Sequence, residues 1–404
     1  MEAPADSTWQ GYSLAERDRR WSAVRQRAEE AGFDCLFLPL TADGRNLRPS
    51  SANARGNRAD SRYLTEMESA ALVLPTDGRP PIVINDRGRG NSWLAEARSA
   101  NRRWGPVMAQ ALLDAGMERA RIGVIGLRGG KVTHVRAFGG VVIHGAFQEV
   151  LDRLPNATFE DATDIVGFVR YVKSDEEIAC LHRATAIADA AIDEMVEVAR
   201  PGVDAAYLYA QVTRRLMELG SEHYHWALKI GPLGVEGARY TEPPVGERLE
   251  RGTLITDEVS AIWGGMVAQE VQPILLGPIP DEWKPVIALQ GEVSDEGIKL
   301  LKPGTTFGEV IDFVNGFGEQ RGMQTSITMH GRGAGNDGPL LTGRARGEAI
   351  RNVVIEAGNA WVWKPTAFSA DGRIEFQWGV DVVATEHGGE PLSTRPRGMI
   401  SIVD

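Results

Sequence analysis

The sequence predicts a mixed α/β protein of two domains, and three observations carry that prediction. At 404 residues the chain exceeds the roughly 250–300 residues that one hydrophobic core accommodates. Short apolar strands alternate with amphipathic helical stretches up to about residue 160, as in a layered α/β domain. Beyond that point, helix, Pro-Gly, helix beside strands occurs twice, in ARPGVDAAYLYAQV and in LKPGTTFGEVIDFV. The second domain is therefore read as a duplicated unit with pseudo-twofold symmetry, which sets the domains at residues 1–165 and 166–404.

The elements follow in order. Residues 14 to 32 repeat at helical spacing and stop at Gly32. Cys35-Leu36-Phe37-Leu38 reads as a buried strand, and Leu72 to Leu74, Ile82 to Ile84 and Ile122 to Ile125 as others. Thr41 to Arg62, rich in Gly, Asn, Arg and Ser without periodicity, is expected to be a long loop or lid. The stretch from Ser92 to Ala115 is expected to be helical, stopping at Gly116. Gly123 to Gly126 with Gly129-Gly130 matches neither the dinucleotide fingerprint nor the phosphate loop, so a strand and turn explain it. From Asp175 to Ala199 a stripe of Ile178, Leu181, Ala184, Ala188, Ile192 and Met195 predicts a helix, with Ser174 and Glu177 as its capping box. Helices follow to Leu219, from Trp283 to Leu301, and around Val310, Ile311 and Val314.

The stretch LITDEVSAIWGGMVAQEVQPILLG, residues 254–277, predicts a hairpin turning at Gly264-Gly265. It places Asp257, Glu258, Gln269, Glu270 and Gln272 on otherwise apolar strands. Burying such groups without partners costs about 2–7 kcal/mol by transfer estimates, so a polar pocket built on a sheet is expected here, and a solvated sheet edge is the plainer alternative.

Composition narrows the function. Hydrophobic residues make up 43% and charged residues 25%, an ordinary globular balance. A formal net charge of −11 argues against nucleic acid as a partner. No run of about 18 apolar residues and no signal-like N-terminus is present, and Cys35 and Cys180 are the only cysteines. A soluble cytoplasmic protein, without a membrane partner or a disulfide framework, is expected.

Taken together, VRYVKSDEEIACLHRA, the two Pro-Gly helix pairs, the hairpin, His330-Gly331-Arg332-Gly333 and VVATEHGGEPLST resemble the pita-bread family of creatinase, prolidase, aminopeptidase P and methionine aminopeptidase. The resemblance spans residues 166 to 404 strongly, and residues 14 to 160 are similar to the smaller N-terminal domain of creatinase and prolidase. It implies a pita-bread C-terminal domain and a homodimer in which the 41–62 loop reaches a neighbouring pocket. The family's metallopeptidases hold two metals with two aspartates, a histidine and two glutamates. Matched by position, these fall on Asp257, Ala268, His330, Lys364 and either Gly379 or Trp378.

Three of the five ligands are thus replaced, and a lysine puts positive charge where a cation would sit. No metal and no other cofactor is expected. Glu258, Glu270 or Glu375 would rescue one metal only if the strand register is off by a residue. Creatinase is the family's precedent for catalysis without metals, but its catalytic histidine falls on Tyr240.

The site expected from these residues has His330 as acid/base, Asp257 orienting it, Lys364 stabilising negative charge or pairing with Asp257, and Tyr240 beside them. Arg239 and Arg332 would hold a substrate carboxylate. His223 and His225 alternate along a strand toward the pocket, Glu258 and Glu270 line it, and Trp363 and Trp378 form a flat slot for a planar substrate. The activity expected is metal-independent hydrolysis of a C–N bond in a small carboxylated or aromatic molecule. The alternatives are a lyase or hydratase abstracting a proton beside a carbonyl, an Xaa-Pro metallopeptidase with a rearranged site, and a non-catalytic binding protein.

Overall fold

The computed structural model describes residues 8–41, 52–130, 140–222, 225–335, 337–342 and 350–403, without the side chains of 52–58, 225 and 342. The chain divides into two compact units. One comprises residues 10–171 with 334–338, and the other residues 1–9, 172–333 and 339–404.

The first unit is built from α1 (Leu14–Glu30), β1 (Cys35–Leu38), α2 (Ala52–Thr65), β2 (Ala71–Pro75), β3 (Ile82–Asn85), β4 (Arg98–Ser99), α3 (Trp104–Asp114), β5 (Arg121–Val124), α4 (His144–Arg153), β6 (Thr158–Asp161) and α5 (Thr163–Tyr171). Its sheet runs β4-β3-β2-β1-β5-β6. β1 is parallel to β5 and antiparallel to β2, and it is buried throughout, as its unbroken apolar run requires. The helix α1 ends at Glu30, two residues before Gly32, whose φ of 76° is the left-handed conformation glycine tolerates.

Two expectations fail in this unit. Residues 52–65 form α2 rather than continuing a loop, while residues 42–51 lie outside the described residues. The 92–115 stretch is helical only over Trp104–Asp114, because Arg98–Ser99 is taken as a strand by β3.

In the second unit α6 (Asp175–Val198) and α7 (Ala205–Glu218) precede β7 (His225–Pro232), β8 (Ala238–Tyr240), β9 (Thr253–Trp263), β10 (Met266–Glu270) and β11 (Ile274–Leu275). Then α8 (Lys284–Gly297) and α9 (Phe307–Phe317) precede β12 (Gln324–Ser326), β13 (Thr328–Gly331), β14 (Leu340–Thr342), β15 (Ala360–Trp363), β16 (Thr366–Phe368), β17 (Glu375–Gln377), β18 (Val380–Thr385), β19 (Gly388–Pro391) and β20 (Ile400–Ser401). A helix pair followed by antiparallel strands thus occurs twice, in the pita-bread arrangement. Each pair turns at its Pro-Gly, with Gly202 at φ 89° and Gly304 at φ 87°.

The capping box of α6 is present, Ser174 accepting from the Glu177 amide at 3.2 Å and Glu177 accepting from the Ser174 amide at 2.9 Å. α9 carries the same device at Thr306 and Glu309. One sheet orders its strands β20-β11-β9-β7-β8 with β10 on β9, and another β14-β13-β15-β18-β19. Single bridges Val267–Gly333 and Val271–Gly379 join the two. Among the described residues no helix is long and apolar enough to cross a membrane, and Cys35 and Cys180 are both buried outside any disulfide.

Candidate functional site

The hairpin's register decides what faces where. Gly264 and Gly265 turn it at φ 57° and 74°, which pairs Ser260 with Gln269 and Ala261 with Ala268. Directly paired residues share a face, and successive residues alternate. One face therefore carries Lys229 of β7, Arg239 of β8, Thr256, Glu258 and Ser260 of β9, and Gln269 of β10. The opposite face carries Asp257, Val259, Ala261, Ala268 and Glu270, and α6 lies against β9 and β10. In the second sheet His330, Val362 and Asp381 are paired in a row and share a face.

Glu258 is the centre of the first face. Its Oε1 accepts from Lys364 Nζ at 2.8 Å, and its Oε2 from Arg239. Burial alone would raise its pKa, but Lys364 and Arg239 outweigh that and hold the carboxyl far below the ordinary range. Lys364 is buried, while the Glu258 and Arg239 side chains are 28% and 55% exposed. Glu258 and Arg239 edge a cavity of about 390 Å³ lined also by Lys229, Leu254, Thr256, Val271, Phe376 and Gln377 among others.

Asp257 faces the other way. Its Oδ1 accepts the Gln272 amide at 2.9 Å and its Oδ2 has no hydrogen bond among the described residues, so it neither orients His330 nor pairs with Lys364. Burial pushes its carboxyl up to about 8, against the weaker pull of the Gln272 amide and the Arg395 charge. The positional match of Asp257 and Ala268 to the family's aspartates is thus out of phase by one. Glu258 and Gln269 keep the same separation, and it is Glu258 that meets Lys364.

The register shift does not restore a metal centre. Glu258 is held by two cations, Gln269 is an amide, Lys364 is a cation, and a Cβ on Gly379 would stand 2.5 Å from Lys364 Cβ. Among the described residues no group of three or more His, Cys, Asp or Glu side chains is placed to hold a metal. The family's metal pair does not fit these residues.

Other expected site residues are placed differently from the sequence reading. The Tyr240 hydroxyl donates to Glu247 at 2.9 Å instead of joining His330. Trp363 and Trp378 are buried, Trp363 Nε1 donating to the Ser294 carbonyl at 3.2 Å, so they are core and form no slot. Glu270 is buried on the helix side, where it accepts the Asp381 amide at 3.2 Å. Burial, then the nearby Asp381 and Asp189 charges, raise its pKa well above the usual value. His330 and Arg332 are buried. His223 and the His225 side chain lie outside the described residues.

Sequence reasoning missed Asp381. It sits on the His330 face, its Oδ2 accepts the Gln269 amide at 3.1 Å, and its Oδ1 has no hydrogen bond among the described residues. Burial lifts its carboxyl to about 7 against the pull of Arg332 and Lys364. The signal was available, since a lone aspartate interrupts the apolar run Val380 to Ala384. Lys229 was also missed, because a lysine in a strand next to glycines reads as solvated.

The geometry agrees with comparison to known proteins. The pattern of metallopeptidase family M24 matches residues 179–386. An "Uncharacterized hydrolase/peptidase y4tM" of Sinorhizobium fredii is 27% identical over 267 residues, 62% of this chain and 65% of that protein, so the match spans less than two thirds of that relative's length. Creatinase from Bacillus sp. is 22% identical over 411 residues, covering 96% of this chain and 92% of its own. The structure of the Xaa-Pro dipeptidase from Bacillus anthracis superposes with a TM-score of 0.73 at 18% identity, covering 95% of this chain and 99% of that one. Its fold is shared along nearly the whole length, and the altered ligand positions lie within the matched residues. This chain belongs to metallopeptidase family M24, among the pita-bread proteins that include creatinase and the Xaa-Pro dipeptidases.

Proposed function

We propose that the protein is a metal-independent hydrolase of a C–N bond, of amide or amidine type, in a small carboxylated molecule. The observation that supports this reading is the Lys364–Glu258 ion pair, a fixed ammonium on the residue that the sequence match aligns with one of the family's metal-binding glutamates. An ammonium cannot ionise water as a metal does, but it stabilises an oxyanion. Water adds to the carbonyl or amidine carbon, the C–N bond breaks, and the nitrogen leaves with a proton. His330 takes the proton from water and returns it to the leaving nitrogen. Asp381, on the same face and titrating near neutrality, is the second proton carrier.

Asp257 drops out of the mechanism, because it faces the helices. Arg239, half exposed at the cavity, binds the anionic end of the substrate. The same reading makes the protein a cytoplasmic homodimer, which sedimentation would check. The deciding experiment is turnover of a series of carboxylated amides and amidines before and after chelation, with His330→Ala as control. Turnover that survives chelation and disappears in the variant supports the reading; turnover restored only by added divalent metal overturns it.

A further inference from the structure

We propose that Lys229 and Arg239 together form a carboxylate clamp that selects single-ring or similarly sized apolar carboxylic acids as ligands of this cavity. This rests on the cavity of the proposed reaction but not on its chemistry. The register pairs Lys229 with Arg239 across β7 and β8, so both side chains rise from the same face. Directly opposed residues have Cβ atoms about 4.5–5.5 Å apart, and like charges there repel.

The carboxylates nearby do not cancel that repulsion. Glu258 reaches Arg239, but it is shared with the buried Lys364. Glu236 stands 3.7 Å from Lys229 Nζ with its side chain 90% exposed, where a pair contributes little. Glu375, also on the wall, is exposed like Glu236, so no sheltered carboxylate is dedicated to the half-exposed Lys229–Arg239 pair.

The rest of the wall defines the other end of the ligand. Leu254, Val271, Pro273 and Phe376 supply apolar surface, and Gln377 is held by its Nε2 on Thr366 Oγ1 at 2.8 Å. Arg373, also on the wall, is engaged by Asp371 at 2.5 Å, so the anion-binding end is the Lys229–Arg239 end. A volume of about 390 Å³ is near the lower end of ligand pockets, roughly 300–1,000 Å³, and suits one ring with a short acidic tail.

The test is calorimetric binding of benzoylglycine against benzoylglycinamide, which differ only in the carboxylate, to the wild type and to Lys229→Gln and Arg239→Gln. Lys229 is part-exposed, so its variant is expected to fold, and circular dichroism checks both. The acid is expected to bind at least about tenfold more tightly than the amide, and each variant to lose about tenfold for the acid alone, because a charge-assisted contact is removed. The acid's advantage should shrink as salt is raised. Equal binding of acid and amide, no binding of the acid at millimolar concentration, or variants that bind the acid like wild type would each overturn the clamp. The clamp stands or falls separately from catalysis. Acid binding without turnover of any amide removes the hydrolase reading alone, whereas turnover of carboxylated amides with a KM unaffected by Lys229→Gln and Arg239→Gln removes the clamp alone.

Discussion

Lys364 Nζ stands 2.8 Å from Glu258 Oε1, while Asp257, one residue earlier on the same strand, turns to the opposite face and bonds the Gln272 amide. The pair is half-sheltered: the lysine side chain is 4% exposed and the glutamate 28%. Removing one member of a fully buried pair costs about 3–5 kcal/mol. Arg239 remains on Glu258, so Lys364→Met is expected to cost less, about 1–3 kcal/mol in urea denaturation. An unchanged midpoint would mean that solvent screens the pair.

His330→Ala should lower turnover by about 10²–10⁴-fold, the usual contribution of a positioned acid or base. Benzoylglycine affinity should hold, since the clamp lies elsewhere. Steady-state kinetics and calorimetry on the same preparation check both halves, and turnover close to wild type would move the proton-transfer role off His330.

Asp257 makes stability depend on pH. Its carboxyl titrates at about 8 in the folded protein, against 3.8 for the free group. The folded state therefore binds the proton more tightly, and this contribution is complete below the unfolded value and lost as pH rises through about 8. Asp257→Asn keeps an acceptor for the Gln272 amide and cannot ionise. Its Tm should match wild type only below the free-group value of 3.8, exceed it increasingly as pH rises from there, and exceed it by the full amount, several degrees, above about 8. Parallel Tm curves across that range would show that Asp257 is not held neutral.

Metal content gives an independent check. Plasma mass spectrometry on purified protein is expected to find far less than one metal per chain, with an unchanged Tm after chelation. One or two tightly held ions, lost together with stability on chelation, would show that another donor set is at work.

Much of the fold was legible in the sequence because local chemistry and tertiary structure agree there. Ser174 and Glu177 start α6 by a box that needs nothing beyond its own turn, and Gly264-Gly265 bends the hairpin because few other residues adopt two positive φ values in succession. What could not be read was phase. Asp257 and Glu258 are adjacent acids on a strand covered on both sides, so polarity does not say which one faces the cavity. Only the pairing across the hairpin does. The tryptophans misled for a related reason: Trp363 and Trp378 neighbour the altered positions in sequence, yet alternation sends Trp363 away from Lys364 into the helices, where its ring edge meets Gly297. The helix α2 was missed because its run of Asn, Arg and Ser has no apolar stripe strong enough to announce it.

The missing Cβ of Gly379 also limits how this site could change. Any side chain there would meet the stem of Lys364, with Cβ atoms only 2.5 Å apart. A glutamate placed at 379 would collide, and one placed at 364 would face Glu258 as a second carboxylate, with Arg239 left as the pair's cation. The clash lies at Cβ, which every residue but glycine carries at 364, so changing Lys364 as well does not relieve it, and position 379 is locked to glycine for as long as these two stretches of backbone keep their spacing.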